Sequence, residues 1–198
     1  MTAPFALVLA AGGSRRFGSP KALARFQGST LLARAIERAR AVVGERYAVV
    51  IGADADALLR QIEVPSKHIM RCDDWMAGQS ASLRFGIKQI PETDRGVLIT
   101  LVDQPLISTE DLRHLIHTWE SEPTTAAAAE FVDATGQRLI GAPCILPRAW
   151  FAKLDGLSGD RGASALLRTA PHVLRVPIPS AAHDIDTPED LVRLAVQG

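Results

Sequence analysis

Residues Leu7 to Lys21 read "LVLAAGGSRRFGSPK", the continuation of a run that begins "FALVLAA" at Phe5. A continuous apolar run of this kind suits a β-strand covered on both faces, as in a parallel sheet flanked by helices. It ends in small residues and gives way to glycines, two arginines and a lysine. In open α/β sheets, ligands bind beyond the carboxyl ends of the strands, and the loop after the first strand lies there by construction. Gly12, Gly13 and Gly18 let backbone N–H groups approach a ligand closely, and such amides form a concavity for anions. Arg15, Arg16 and Lys21 add full charges, which makes polyphosphate the natural guest. Neither common phosphate motif fits. A Walker A loop needs lysine directly after its second glycine, and here Gly18 is followed by Ser19. A dinucleotide fingerprint needs G-x-G-x-x-G, whereas Gly12 and Gly13 are adjacent and four residues separate Gly13 from Gly18.

Strand-like and helix-like segments alternate outward from this point. "YAVVIG", "HIMRC", "GVLITLVD" and "HVLRVPI" read as strands. "STLLARAIERARAVV" places Leu32, Ile36, Ala39 and Val43 on one helical face, and "SASLRFGIKQI" does the same with Leu83, Ile87 and Ile90. "DADALLRQI" and "GDRGASALLRTA" read as shorter helices. Ser108 with Asp111, and Thr187 with Pro188 and Asp190, mark helix starts. Repeated strand–helix units predict an α/β fold, a three-layer α/β/α Rossmann-like arrangement around a mainly parallel sheet. Residues 126–157 interrupt the rhythm, with four alanines, a "DATGQR" turn and two nearby prolines. They read as an inserted or antiparallel portion. The expected organisation is one domain over residues 1–198, with the basic loop in a first half (1–107) and the irregular portion in a second (108–198).

Composition narrows the classes. Hydrophobic residues make up 47% of the 198, enough for a core, and Lys+Arg and Asp+Glu balance at 22 each. That balance removes an overall field for nucleic acid or an anionic membrane. The first apolar run has no basic leader and is too short to span a bilayer. Cys72 and Cys144 have no zinc spacing and read as buried free thiols of a reducing, cytoplasmic compartment.

Two acids stand out. Asp103 follows the buried run "LITLV" and is poorly solvated there unless it meets a cation or a donor. Asp186, in "HDIDTPEDL", lies at a strand–helix junction just before the Thr187 cap, with Asp184 as a possible helper.

The opening segment matches L-A-A-G-x-S-x-R-x-G-x-x-K at Leu9, Ala10, Ala11, Gly12, Ser14, Arg16, Gly18 and Lys21. It resembles the signature of the MobA-like nucleotidyltransferases, which include the molybdenum cofactor cytidylyl- and guanylyltransferases. The resemblance implies that this loop, Gly13 included, holds a nucleoside triphosphate, with Arg16 and Lys21 on its phosphates. "GQSASLRFG" resembles the family's G-x-S-x-S-x-x-x-G, which implies that Gly78, Ser80 and Ser82 read the base or ribose. "DQP" and "DIDTPEDL" resemble the family's metal-binding segments, which implies Mg²⁺ on Asp103 and Asp186. Gly159, Asp160, Gly162 and Ala163 resemble the G-D-x-G-A loop of the cytidylyltransferase branch, which faces a molybdopterin acceptor. That branch carries G-H-P where this chain has Gly141-Ala142-Pro143, and a basic residue where it has Ser164.

The implied activity is Mg²⁺-dependent transfer of a nucleotidyl group, CMP from CTP being favoured, to the phosphate of molybdopterin with release of pyrophosphate. Arg16, Lys21, Asp103 and Asp186 would carry it, and none of the five histidines is needed. Three alternatives stay open: GTP as donor, a sugar phosphate as acceptor, and a non-catalytic nucleotide-binding regulator or chaperone that hands cofactor to a molybdoenzyme.

Overall fold

The computed structural model describes residues 3–197. In chain order its elements are β1 (Phe5–Ala10), β2 (Arg25–Phe26), β3 (Ser29–Thr30), α1 (Leu31–Val43), β4 (Tyr47–Ile51), α2 (Ala55–Leu59) and β5 (Ile69–Arg71). Next come α3 (Gln79–Ile87), β6 (Gly96–Leu101), α4 (Thr109–Ser121), β7 (Ala127–Val132) and β8 (Arg138–Pro147). The chain finishes with α5 (Ala163–Thr169), β9 (Leu174–Pro177) and α6 (Pro188–Gln197). The helix starts follow the expected chemistry. Thr30 Oγ1 accepts from Ala33 N at the head of α1, and Ser108 and Asp111 form a reciprocal capping box on α4.

Seven strands form one sheet in the order β5-β4-β1-β6-β8-β7-β9. β1 pairs in parallel with β4 and β6, β4 with β5, and β7 with β9. β8 alone runs the other way, antiparallel to both β6 and β7. The irregular stretch anticipated at residues 126–157 is therefore a reversed strand within the sheet. Its alanines become β7 because they alternate faces: Ala127 and Ala129 join one core, Ala128 the other.

The same alternation divides β1. Ala6 and Val8 pack towards α1 and α4, with Ile36, Leu115 and Trp119, while Leu7 and Leu9 pack towards α3 and α5, with Leu83, Ile87 and Leu167. This is the three-layer arrangement. A third, smaller cluster joins Phe26 and Leu31 to Ile185 and Leu194, and so docks α6 against the β2–β3 hairpin and the head of α1.

The topology selects the site. From β1 the chain moves outward to β4 and β5, then returns across to place β6 on the other side of β1. The crevice at such a reversal, between the carboxyl ends of β1 and β6, is where α/β sheets bind ligands. Both cysteines are buried and free, and among the described residues no helix is long and apolar enough to cross a membrane.

Candidate active site

A cavity of about 400 Å³ opens at that crevice. Leu9 to Arg16 and Lys21 line it from the β1 side, Asp103 from the end of β6, and Asp186 from the entry to α6. Gly78, Gln79 and Ser82 at the start of α3, and Asp160 before α5, close the other wall.

The β1 loop is a compact turn. Ser14 has φ 47° and Gly18 φ 76°, and the Ser14 carbonyl accepts from both Phe17 N and Gly18 N. Ser14 Oγ accepts from Lys21 N at 3.0 Å, so this hydroxyl closes the loop and anchors the lysine backbone. Gly12 faces open space, whereas a Cβ on Gly13 would meet the Trp75 ring at 3.0 Å.

Asp103 and Asp186, far apart in sequence, converge on one cation. Lys21 Nζ lies 2.8 Å from Asp103 Oδ2 and 3.4 Å from Asp186 Oδ1, and Arg16 Nη2 lies 3.0 Å from Asp186 Oδ2. Backbone ties hold the two acids in place. Asp103 O accepts from Ile185 N at 2.8 Å, and Asp186 N donates to Asp190 Oδ2 at 3.1 Å. Hydrogen bonds from the Asp186 and Thr187 amides hold the Asp190 carboxyl below its ordinary range, as a helix N-terminus does.

Beneath the acids lies a polar support absent from the sequence expectations. The buried Gln104 Nε2 donates to Ala142 O at 3.0 Å and Ala181 O at 3.3 Å, joining the end of β6 to β8 and to the approach to α6. Arg38 of α1 donates to the carbonyls of Gln104 and Pro105 at 3.1 and 3.0 Å, and burial lowers its guanidinium to about 10. At Asp184, desolvation and then the neighbouring Asp103 charge push the carboxyl up to about 6, although the residue as a whole is exposed.

The expected base-reading residues divide. Ser82 lines the cavity, but Ser80 is fully buried and faces the core. α3 begins at Gly78 with φ 95°, so Ser80 falls inside the helix, and its amide is taken by Gly159 O at 3.0 Å. Gly159 and Gly162 likewise do not line the cavity, and it is the missing side chains of Gly78 and Gly162 that let two loops touch. A Cβ on Gly78 would lie 2.4 Å from the Gly159 carbonyl carbon, and one on Gly162 would lie 2.3 Å from Gln79 Oε1. Of that segment only Asp160 faces the cavity. Trp75, Met76 and Gln79 also line it and were not anticipated. The signal was present in "DDWMAGQS", where two large apolar residues stand beside acids just before a glycine turn. None of the five histidines lines the cavity. His68 is buried elsewhere, between Tyr47 O at 2.8 Å and Glu45 Oε2 at 2.9 Å.

The donor set suits a hard cation. Asp103 Oδ1 is buried without a hydrogen-bond partner, beside a second carboxylate and an open phosphate cradle. Among the described residues no group of three or more His, Cys, Asp or Glu side chains is placed to hold a metal. A divalent ion held here would have two protein carboxylates for ligands and would need water or phosphate oxygens for the rest.

Fold and site together define a nucleotidyltransferase. The chain belongs to the MobA-like NTP transferase family, whose domain model matches residues 6–175. Among its relatives is the nicotine blue oxidoreductase of Paenarthrobacter nicotinovorans, 29% identical over 193 residues, 95% of this chain and 94% of that one. Another is the probable molybdenum cofactor guanylyltransferase of Rhodopirellula baltica, 31% identical over 192 residues, 93% of this chain and 88% of that one. The crystal structure of Rv0371c from Mycobacterium tuberculosis H37Rv superposes with a TM-score of 0.85 at 27% identity, covering 98% of this chain and 99% of that one. A manganese complex of Rv0371c gives 0.79 at 26% identity, with 98% of each chain covered. These names span different chemistries, so membership alone does not choose a substrate.

Proposed function

We propose that the protein transfers a nucleotidyl group from a nucleoside triphosphate, CTP in preference to GTP, to the phosphate of a molybdopterin-type acceptor. The observation that carries this reading is the meeting of Asp103, Asp186, Lys21 and Arg16 at the mouth of the glycine loop. The preference for CTP rests on "LAAG" at residues 9–12 and on the G-D-x-G-A segment. The relative named as a guanylyltransferase keeps GTP as the alternative donor.

An acceptor phosphate oxygen attacks the α-phosphorus, the P–O bond to the β-phosphate breaks in line, and pyrophosphate leaves with that electron pair. The attacking oxygen is already anionic, so no general base is required and the residues act by positioning and charge. The amides of the β1 loop cradle the phosphates, and Lys21 and Arg16 take charge that grows on pyrophosphate. Asp103 and Asp186 would hold a divalent ion, Mg²⁺ by preference, which would supply positive charge for the phosphates. Ser82 and Gln79, which line the cavity at the start of α3, would meet the base or ribose, and Asp160, which lines it before α5, would meet the acceptor.

Pyrophosphate release tests this directly. The protein is incubated with Mg²⁺ and CTP or GTP, together with molybdopterin or a panel of sugar phosphates. Release with molybdopterin and CTP is expected. Release only with sugar phosphates replaces the acceptor, and nucleotide binding without release from any mixture moves the protein to the regulator class.

A further inference from the structure

Lys21 and a divalent ion make claims on the same oxygens. The lysine ammonium is the common neighbour of Asp103 Oδ2 and Asp186 Oδ1, and its side chain is only 14% exposed, so these carboxylates are its main compensation. A metal ligated by the same acids would sit against a like charge, which no mutual screening by water relieves in a half-buried site. We propose that Lys21 is a built-in competitor for the metal position, so that a divalent ion occupies Asp103 and Asp186 tightly only after a triphosphate has drawn the lysine away. This deepens the nucleotidyl-transfer reading and rests on it.

Three features of the loop support the switch. The Lys21 backbone is fixed by its bond to Ser14 Oγ at 3.0 Å, so only the side chain has to move. An ammonium on a four-carbon stem is a compact charge that can pivot, unlike a guanidinium locked in a fork. The open side of Gly12, with nothing within 4 Å of a Cβ, is where phosphates would offer Lys21 new partners. The lysine also leaves Asp103 half satisfied, since Oδ1 is buried without a partner. An ion that brings its own water has donors for that oxygen as well. Arg16 holds the other Asp186 oxygen at 3.0 Å, but at 72% exposed it competes weakly. The consequence is positive coupling: nucleotide strengthens metal binding, and metal strengthens nucleotide binding by the same factor.

Mn²⁺ binding to the full chain, by electron paramagnetic resonance of the free ion and by calorimetry, tests this without turnover. Each protein is titrated alone and with CTP in the absence of acceptor, the Mn²⁺ held by CTP itself being subtracted from a protein-free titration. Wild type is expected to bind Mn²⁺ weakly alone and much more tightly with CTP. Lys21→Met is expected to bind Mn²⁺ alone roughly ten- to a hundredfold more tightly than wild type, the size of a lost charged hydrogen bond, and to show less coupling to CTP. Unchanged or weaker Mn²⁺ binding by Lys21→Met overturns the proposal. Adding Asp103→Asn to that variant must erase the gain; a gain that survives places the ion elsewhere and also overturns it. If Lys21→Met does not fold, Lys21→Gln makes the same comparison. Wild-type pyrophosphate release separates the two readings. Turnover without a Lys21→Met gain sinks the competition alone, and a gain without turnover on any acceptor sinks the transfer reaction alone.

Discussion

The two walls of the cavity are built on different plans. On the wall formed by β1 and β6, motif residues present charge: Lys21, Asp103 and, from α6, Asp186 meet within 3.4 Å. On the wall formed by the heads of α3 and α5, motif residues mostly present the absence of a side chain. The bare backbones of Gly78 and Gly162 let two loops press together, and Gln79, Ser82 and Asp160 turn polar groups to the space between. A motif on the first wall reports a chemical requirement, whereas on the second it reports a spacing requirement. The larger side chains on the second wall, Trp75, Met76 and Gln79, stand at positions that the motif does not fix.

The largest expected effect separates the walls. Asp103→Ala should lower pyrophosphate release by about a thousandfold or more, as loss of a charge-stabilising group does. Asp160→Ala should cost only about tenfold, expressed in KM for the acceptor. Equal losses would mean that the second wall also carries the reaction. Next are the glycines. Gly78→Ala meets the Gly159 backbone at 2.4 Å and demands φ 95°, so thermal or denaturant unfolding should show a loss of about 3 kcal/mol or more. Gly159→Ala has open space and only its φ of 61° to resist it, a loss of about 1 kcal/mol. A reversal of that order would show that the loops do not meet at Gly78.

Smaller effects probe the support beneath the acids. Gln104→Leu leaves two carbonyls without their donor and should cost about 1–3 kcal/mol of stability. Turnover should fall as well, because the Asp103 and α6 segments are joined there. Smallest is Asp184→Asn. The folded protein holds the Asp184 proton more tightly than the unfolded chain does, since its carboxyl is raised from 3.8 to about 6. Stability therefore declines as pH climbs through that window and is level above it. The asparagine variant should flatten that slope, by less than about 1 kcal/mol for so exposed a residue.

Much of this was legible in the chain. The alternation of β1 residues between two cores follows from a strand covered on both faces, and the caps at Ser108 and Thr187 were readable as local chemistry. The convergence of Asp103 and Asp186 followed from both lying at the same sheet edge. Ser80 lies in the first turn of α3, as expected, but is buried beneath the loop whose Gly159 carbonyl takes its amide, a contact no local pattern announces. Gln104 and Arg38 escaped notice because their partners are backbone carbonyls, and no side-chain pattern records a carbonyl.

The charged centre is stitched from the two ends of the polypeptide, for Lys21 and Asp186 stand 165 positions apart and the cluster of Phe26, Leu31, Ile185 and Leu194 fastens them. An emerging chain can lay down every strand of its sheet, β9 included, while still lacking its second acid. The ion-pair centre is therefore complete only where α6 packs over the hairpin, and whatever loosens that small apolar cluster separates Lys21 from Asp186 while leaving the sheet intact.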